Sequence, residues 1–199
     1  MKLPIILASS SKSRLNLLKQ IGIIPDKIIP ADIDECSKPK ELPPRLASRL
    51  AFEKATKIAN NFNQGIIIGA DTVPVIGRTA IGKAETDEDV RRSLQLLSQR
   101  RHRIYTAVCV IYKNEGVTRT SQRLVKTILK FKKLSDKEID YYCGLKEGLG
   151  KAGGYSVAGY AGSFIAFISG SFSNVIGLPL FETKNMLESF GYNKSLVIS

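Results

Sequence analysis

Apolar runs and amphipathic stretches alternate along the chain. Leu3–Ala8 is a continuous apolar run and predicts a buried strand. Ser11 to about Ile21 carries Leu15, Leu18 and Ile21 on one side, with Gly22 to stop it, and predicts a helix. Ile28–Pro30 predicts a short strand, Asp32–Pro44 a polar, proline-containing loop, and Pro44–Asn60 a second helix. Ile66–Val73 predicts a central strand. Thr86 caps a helix to about Ser98 with Val90, Leu94 and Leu97 inward, and Ile104–Tyr112 predicts a strand. In Leu124–Lys132, Val125, Thr127, Leu129 and Phe131 alternate onto one face, as in a half-buried strand. Ser135 and Glu138 form a capping box. A glycine-rich region, 148–177, contains a strand at Phe164–Ile168, and a last helix runs from Leu178 to Phe190 before Gly191. Strands alternating with helices predict an α/β architecture.

The 199 residues fit one domain spanning 1–199, and 43% hydrophobic residues suffice for a core. No apolar run reaches the roughly 20 residues that span a bilayer. The N-terminal apolar stretch lacks a full signal-peptide pattern. Cys36, Cys109 and Cys143 are odd in number and widely spaced, which argues against a disulfide framework or zinc site and for a reducing cytoplasm. Asn193 opens a glycosylation sequon without meaning in that compartment. The net charge of +12 attracts polyanions, whether nucleic acid or a nucleotide polyphosphate, or reflects a Lys-rich proteome.

Several polar residues break the pattern. Asp71 closes the run IIIGAD; it either caps the turn before Pro74 or serves as metal ligand or general base. Lys54 falls in the apolar stripe of Leu46, Ala47, Leu50, Ala51 and Ile58, so it either snorkels or meets an anion. Asp32, Asp34 and Glu35 form an exposed acidic loop or a hard-oxygen site for Mg²⁺. Ala8–Arg14, between strand and helix, either caps the helix or binds an anion, with Arg14 adding a fork for phosphate.

Two glycine motifs are decoys. Gly77–Ala84 nearly matches a P-loop but has Ala84 where a hydroxyl must hold metal, although Lys83 can still meet phosphate. Gly148–Gly153 matches GxGxxG but follows a helix rather than a strand; Lys151 is its cation. His102, the single histidine, lies among arginines in what reads as a solvated turn, which disfavours a Ser-His-Asp triad.

Taken in order, LASSSKSR at 7–14, DIDE at 32–35, RLAFEKA at 49–55, GADTV at 69–73, GKA at 82–84, HRIYTA at 102–107, and GKAGGYSVAG followed by SNVIGLPL resemble the Maf family of nucleoside triphosphate pyrophosphatases. The resemblance implies a mixed, twisted sheet flanked by helices, with two lobes around a cleft, similar to inosine triphosphate pyrophosphatases. It implies hydrolysis of nucleoside triphosphates to monophosphate and pyrophosphate, a divalent cation (Mg²⁺ or Mn²⁺) and a homodimer. It further implies clearance of noncanonical nucleotides and a link to cell-division arrest. By position, Asp71 corresponds to the proton acceptor and Glu35 to the loop carboxylate near the metal, with Asp71 as a second ligand. Lys54 and Lys83 complete the catalytic set. Ser9, Ser11, Arg14, Thr72 and Lys151 correspond to substrate-binding positions.

Ser13, Thr72 and Ala158 fall at specificity positions. Pyrimidine-selective members carry Arg where this chain has Ser13 and Gln where it has Ala158, whereas Thr72 agrees with them. The subgroup associated with methylated guanosine triphosphate has an aromatic near Ser13. The rival reading is a basic nucleic-acid-binding module without catalysis, favoured by charge alone. Its basic residues are scattered and Tyr155 and Tyr160 form no tight stacking pattern, so neither nucleic acid nor membrane is expected as a partner.

Overall fold

The structure is a computed structural model that describes residues 3–192. The sequon at Asn193 lies outside the described residues. A seven-stranded mixed sheet is flanked by helices on both faces. Strands β1 (Ile5–Leu7), β2 (Lys27–Ile28) and β3 (Gly65–Ile76) are parallel, with β1 between the other two. The remaining strands, β4 (Thr79–Ala80), β5 (Arg101–Asn114), β6 (Val117–Phe131) and β7 (Ile165–Ser169), are antiparallel to their neighbours. The order is β2-β1-β3-β5-β6-β7, with β4 paired to β3.

Alternation along the strands sorts the core into layers. Ile6, Ile67, Cys109 and Ile111 face helix α2 (Pro43–Ala59). Ile5, Leu7, Ile66, Ile68 and Val110 face α1 (Lys12–Gln20) and α6 (Leu180–Ser189). A third cluster joins Ile104, Leu129 and Phe131 to α3 (Asp87–Leu97) and α4 (Asp136–Leu145), and it forms the second lobe. Capping boxes open α3 at Thr86 and α4 at Ser135, where Thr/Ser and an acidic side chain satisfy each other's free amides.

Three expectations change. β5 and β6 are longer than their apolar stretches and meet at a tight turn, Glu115–Gly116, where both residues have positive φ (48° and 79°). Such a turn matches strand twist and lets polar residues extend the ladder. The glycine-rich region holds a short helix that its composition does not announce, α5 (Phe172–Ile176), which Gly177 at φ 126° separates from the expected last helix, α6. His102 is no solvated turn residue. It is the second residue of β5, pointing inward between exposed Arg101 and Arg103, and is 1% exposed. Its ring packs edge-on against Phe131 and Tyr155, and its Nε2 lies 2.7 Å from the Tyr155 hydroxyl.

Candidate active site

β1 ends at Leu7, opposite Ile68, and the chain turns away into α1. β3 continues alone on that side, so Asp71 and Thr72 stand just beyond the carboxyl end of a parallel pair, where open α/β sheets bind ligands. A cleft of about 1060 Å³ opens there, lined from both lobes.

One wall is an ion chain. Lys54 Nζ lies 2.6 Å from Asp71 Oδ1 and 2.7 Å from Glu35 Oε1, and Lys83 binds the second oxygen of Glu35. Lys54 and Asp71 are each only 7% exposed, so each charge answers the other's desolvation. Gly69 sets the spacing: a Cβ there would fall 2.5 Å from the Ala51 carbonyl oxygen and 2.7 Å from the Ala55 amide. Only a hydrogen fits, and α2 lies close enough to β3 for Lys54 to reach Asp71. Burial acts to raise the Glu35 carboxyl, but hydrogen bonds from Lys54 and Lys83, with their charges, outweigh it and hold it at about 2.

The loop that carries Glu35 is tied to α2 by Arg49. Its guanidinium donates to both oxygens of Glu41 (2.7 and 2.9 Å), to Glu53 (2.9 Å) and to the Cys36 carbonyl (2.9 Å). A bidentate fork holds its partner's orientation as well as its distance. Arg49 opens the RLAFEKA motif, but the sequence assigns it no role beyond a helical i,i+4 spacing from Glu53.

The second wall begins with Ser11, which caps α1 by accepting from the Arg14 amide (3.3 Å). Arg14 then donates to Ser9 Oγ (3.1 Å), the Gly177 carbonyl (2.9 Å) and Thr72 Oγ1 (3.4 Å). All three acceptors are neutral, so the guanidinium is oriented without an ion pair. Burial pulls its pKa below the usual value, opposed by the charges of Asp71 and Glu35.

The third wall joins the two decoy motifs. Residues 82–84 pair with residues 150–153: Ala84 N donates to Lys151 O (3.1 Å), Gly150 N to Ala84 O (2.8 Å) and Gly153 N to Gly82 O (2.9 Å). Lys83 and Lys151 therefore share one edge of the cleft.

A family model described as Maf-like protein matches residues 4–190. The chain belongs to the Maf family. A Rickettsia rickettsii relative named nucleoside triphosphate pyrophosphatase is 56% identical over 98% of this chain and 92% of its own length. Relatives of that name from Rickettsia felis and Rickettsia typhi are 56% and 54% identical over 96% and 97% of this chain, and 94% and 86% of their own. Among solved structures, a HAM1 protein from Coxiella burnetii aligns with TM-score 0.40 and 18% identity, covering 64% of this chain and 73% of that one. The Ham1 protein of Staphylococcus aureus gives 0.39 and 18%, covering 63% and 71%.

The Maf-family positions named from sequence converge on this cleft. Ser9, Ser11, Ser13, Arg14, Glu35, Lys54, Asp71, Thr72, Lys83 and Lys151 all line it. Ala158 lies apart, exposed on a side pocket of about 50 Å³ that Ser13, Thr72 and Lys151 also line. Asp32 and Asp34 also line the cleft; the Asp32 backbone carbonyl accepts from Lys57 on α2, and Asp34 Oδ1 accepts locally from the Cys36 amide at 2.9 Å.

Among the described residues, no group of three or more His, Cys, Asp or Glu side chains forms a metal cage. The most buried carboxylate oxygens of the cleft belong to Glu35 and Asp71, which face each other across Lys54; three of their four oxygens accept from Lys54 and Lys83, so a cation there shares them with the lysines. That donor set suits Mg²⁺ or Mn²⁺, which take one or two carboxylates and complete their shell with water and phosphate.

Proposed function

We propose that this Maf-family chain is a hydrolase that cleaves nucleoside triphosphates between the α and β phosphates, releasing the monophosphate and pyrophosphate. The observation that carries the reading is one cleft with a buried Asp71–Lys54–Glu35 chain on one wall and Arg14, Lys83 and Lys151 around it. Carboxylates to hold a water and a divalent cation thus face cations for a polyphosphate. The relatives' shared name agrees with it.

Asp71 holds the attacking water and takes its proton; its ion pair with Lys54 uses only one carboxylate oxygen. Lys54, 2.6 Å from Asp71 Oδ1, fixes the orientation of the carboxylate in a buried place. Arg14, fixed by Ser9, Thr72 and Gly177, presents an immobilised guanidinium to the phosphates, while Lys83 and Lys151 meet the departing pyrophosphate. Glu35 and Asp71 would hold Mg²⁺ or Mn²⁺, which neutralises phosphate oxygens when bound. The side pocket lined by Ser13, Thr72 and Ala158 receives the base. We place the enzyme in the cytoplasm as a homodimer. All three cysteines are free, and among the described residues no helix is long and apolar enough to cross a membrane.

The test is a panel of nucleotides with Mg²⁺ and product identification. Pyrophosphate and the monophosphate are expected together. Orthophosphate released first, with a diphosphate accumulating, overturns the reading. Light scattering after size exclusion tests the dimer.

A further inference from the structure

Strands β5, β6 and β7 contain seven Lys or Arg and no Asp or Glu. Their register gathers four of these cations. Arg101 pairs across from Lys130, which pairs across from Phe167; Arg103 pairs with Ile128 and Tyr105 with Lys126. Directly opposed residues share a face, so Arg101, Arg103, Lys126, Lys130 and Phe167 occupy one side of the sheet. This is the side on which α2 covers Ala107, Cys109 and Ile111 farther along β5, and the cations lie beyond that cover. Among the described residues, none of the four pairs with a carboxylate. The Arg103 guanidinium donates to the Gly77 carbonyl (3.0 Å). Phe167 is 43% exposed, and the Arg101 guanidinium stands 5.1 Å from its ring centroid. None of these five residues lines the nucleotide cleft.

We propose that this face binds single-stranded nucleic acid, independently of the cleft and of the reading given to it. An acid-free sheet surface with unpaired cations repels a second copy of itself and attracts a polyanion. An exposed ring beside a guanidinium plane adds what a phosphate-only surface lacks, a flat platform on which an unpaired base stacks. The basic residues are scattered along the sequence and converge only when the three strands pair.

The experiment follows fluorescence anisotropy of labelled (dT)20 with the full chain, titrated with salt. The variants are R101Q/R103Q/K126Q/K130Q and, separately, F167A. None of these residues is placed in the catalytic machinery, so pyrophosphatase activity and thermal unfolding serve as folding controls. Wild type is expected to bind with strong salt dependence. The fourfold variant should bind at least tenfold more weakly, and its salt slope should fall by about 0.7 for each phosphate that is no longer neutralised. F167A should weaken binding roughly fivefold or more with the slope kept, the signature of lost stacking. Equal binding by the fourfold variant and wild type overturns the proposal. So does an F167A variant that binds like wild type, which would reduce the face to a charge-only surface. Tighter binding to phosphatidylserine vesicles than to (dT)20 also overturns it, in favour of a membrane.

Discussion

Replacing Lys54 with methionine keeps an unbranched stem and deletes the ammonium that Glu35 and Asp71 share. Its contacts of 2.7 and 2.6 Å put the facing oxygens no more than about 5.3 Å apart, where two like charges at an effective dielectric near 20 repel by at least about 3 kcal/mol. Measured losses on breaking a buried pair run about 3–5 kcal/mol, so about 3 kcal/mol is expected at neutral pH. Glu35 supplies the pH signature. Its carboxyl, at about 2 in the fold against an ordinary 4.5, stabilises the protein above 4.5, and that contribution is lost as pH falls through 2. The whole shift would be worth about 3 kcal/mol, but the Glu35 side chain is 35% exposed and Lys83 52%, and solvent screening reduces it to about 1–2 kcal/mol. The stability gap between wild type and Lys54→Met should therefore be widest near neutrality and narrow in acid. Urea unfolding at about pH 7, 4.5 and 3 measures it. A gap below about 1 kcal/mol at neutral pH, or one unchanged in acid, refutes the reasoning.

Other consequences follow from the same site. Asp71→Asn should fold and lose roughly a hundredfold or more in kcat, the scale of lost general-base catalysis; wild-type turnover would remove Asp71 from its role. His102→Ala should keep most turnover in folded protein, since the mechanism uses no histidine, yet lower stability by about 2–3 kcal/mol by emptying space against Phe131 and Tyr155. Calorimetry beside a steady-state assay separates the two, and a folded but dead variant would refute it. Base selectivity should be broad, because Ala158 offers the side pocket no side-chain hydrogen bond and Ser13 reaches less far than an arginine. UTP or dTTP should lead other common nucleotides by less than roughly a hundredfold in kcat/KM; a thousandfold preference would place the base elsewhere.

The site was legible in sequence where a residue broke its local pattern. Asp71 closing an apolar strand and Lys54 within an apolar stripe stand out because burying a charge is costly, and they prove to answer each other. Most elements were legible for a similar reason, since capping residues and apolar periods are local. What depends on distant segments was not. Residues 82–84 and 150–153 each look like a failed phosphate loop, and their purpose appears only when their backbones pair. Arg49 opens the RLAFEKA motif, yet its role in tying the loop to α2 appears only when the loop folds back over it. His102 was misread because its arginine neighbours imply solvent, whereas a strand sends alternate residues to opposite faces.

Gly69 carries a consequence for how such a protein can diverge. The contact between α2 and β3 there is set by the absence of a single methyl group, and the helix that would have to yield is the one that carries Lys54. A displacement of about 1 Å away from the chemistry can cost roughly a hundredfold in rate. A lineage can therefore keep every carboxylate, lysine and arginine of the cleft and still lose the reaction through one hydrogen on a buried strand. Inventories of reactive groups would pass such a chain as an enzyme; the thickness of one helix-on-sheet layer would fail it.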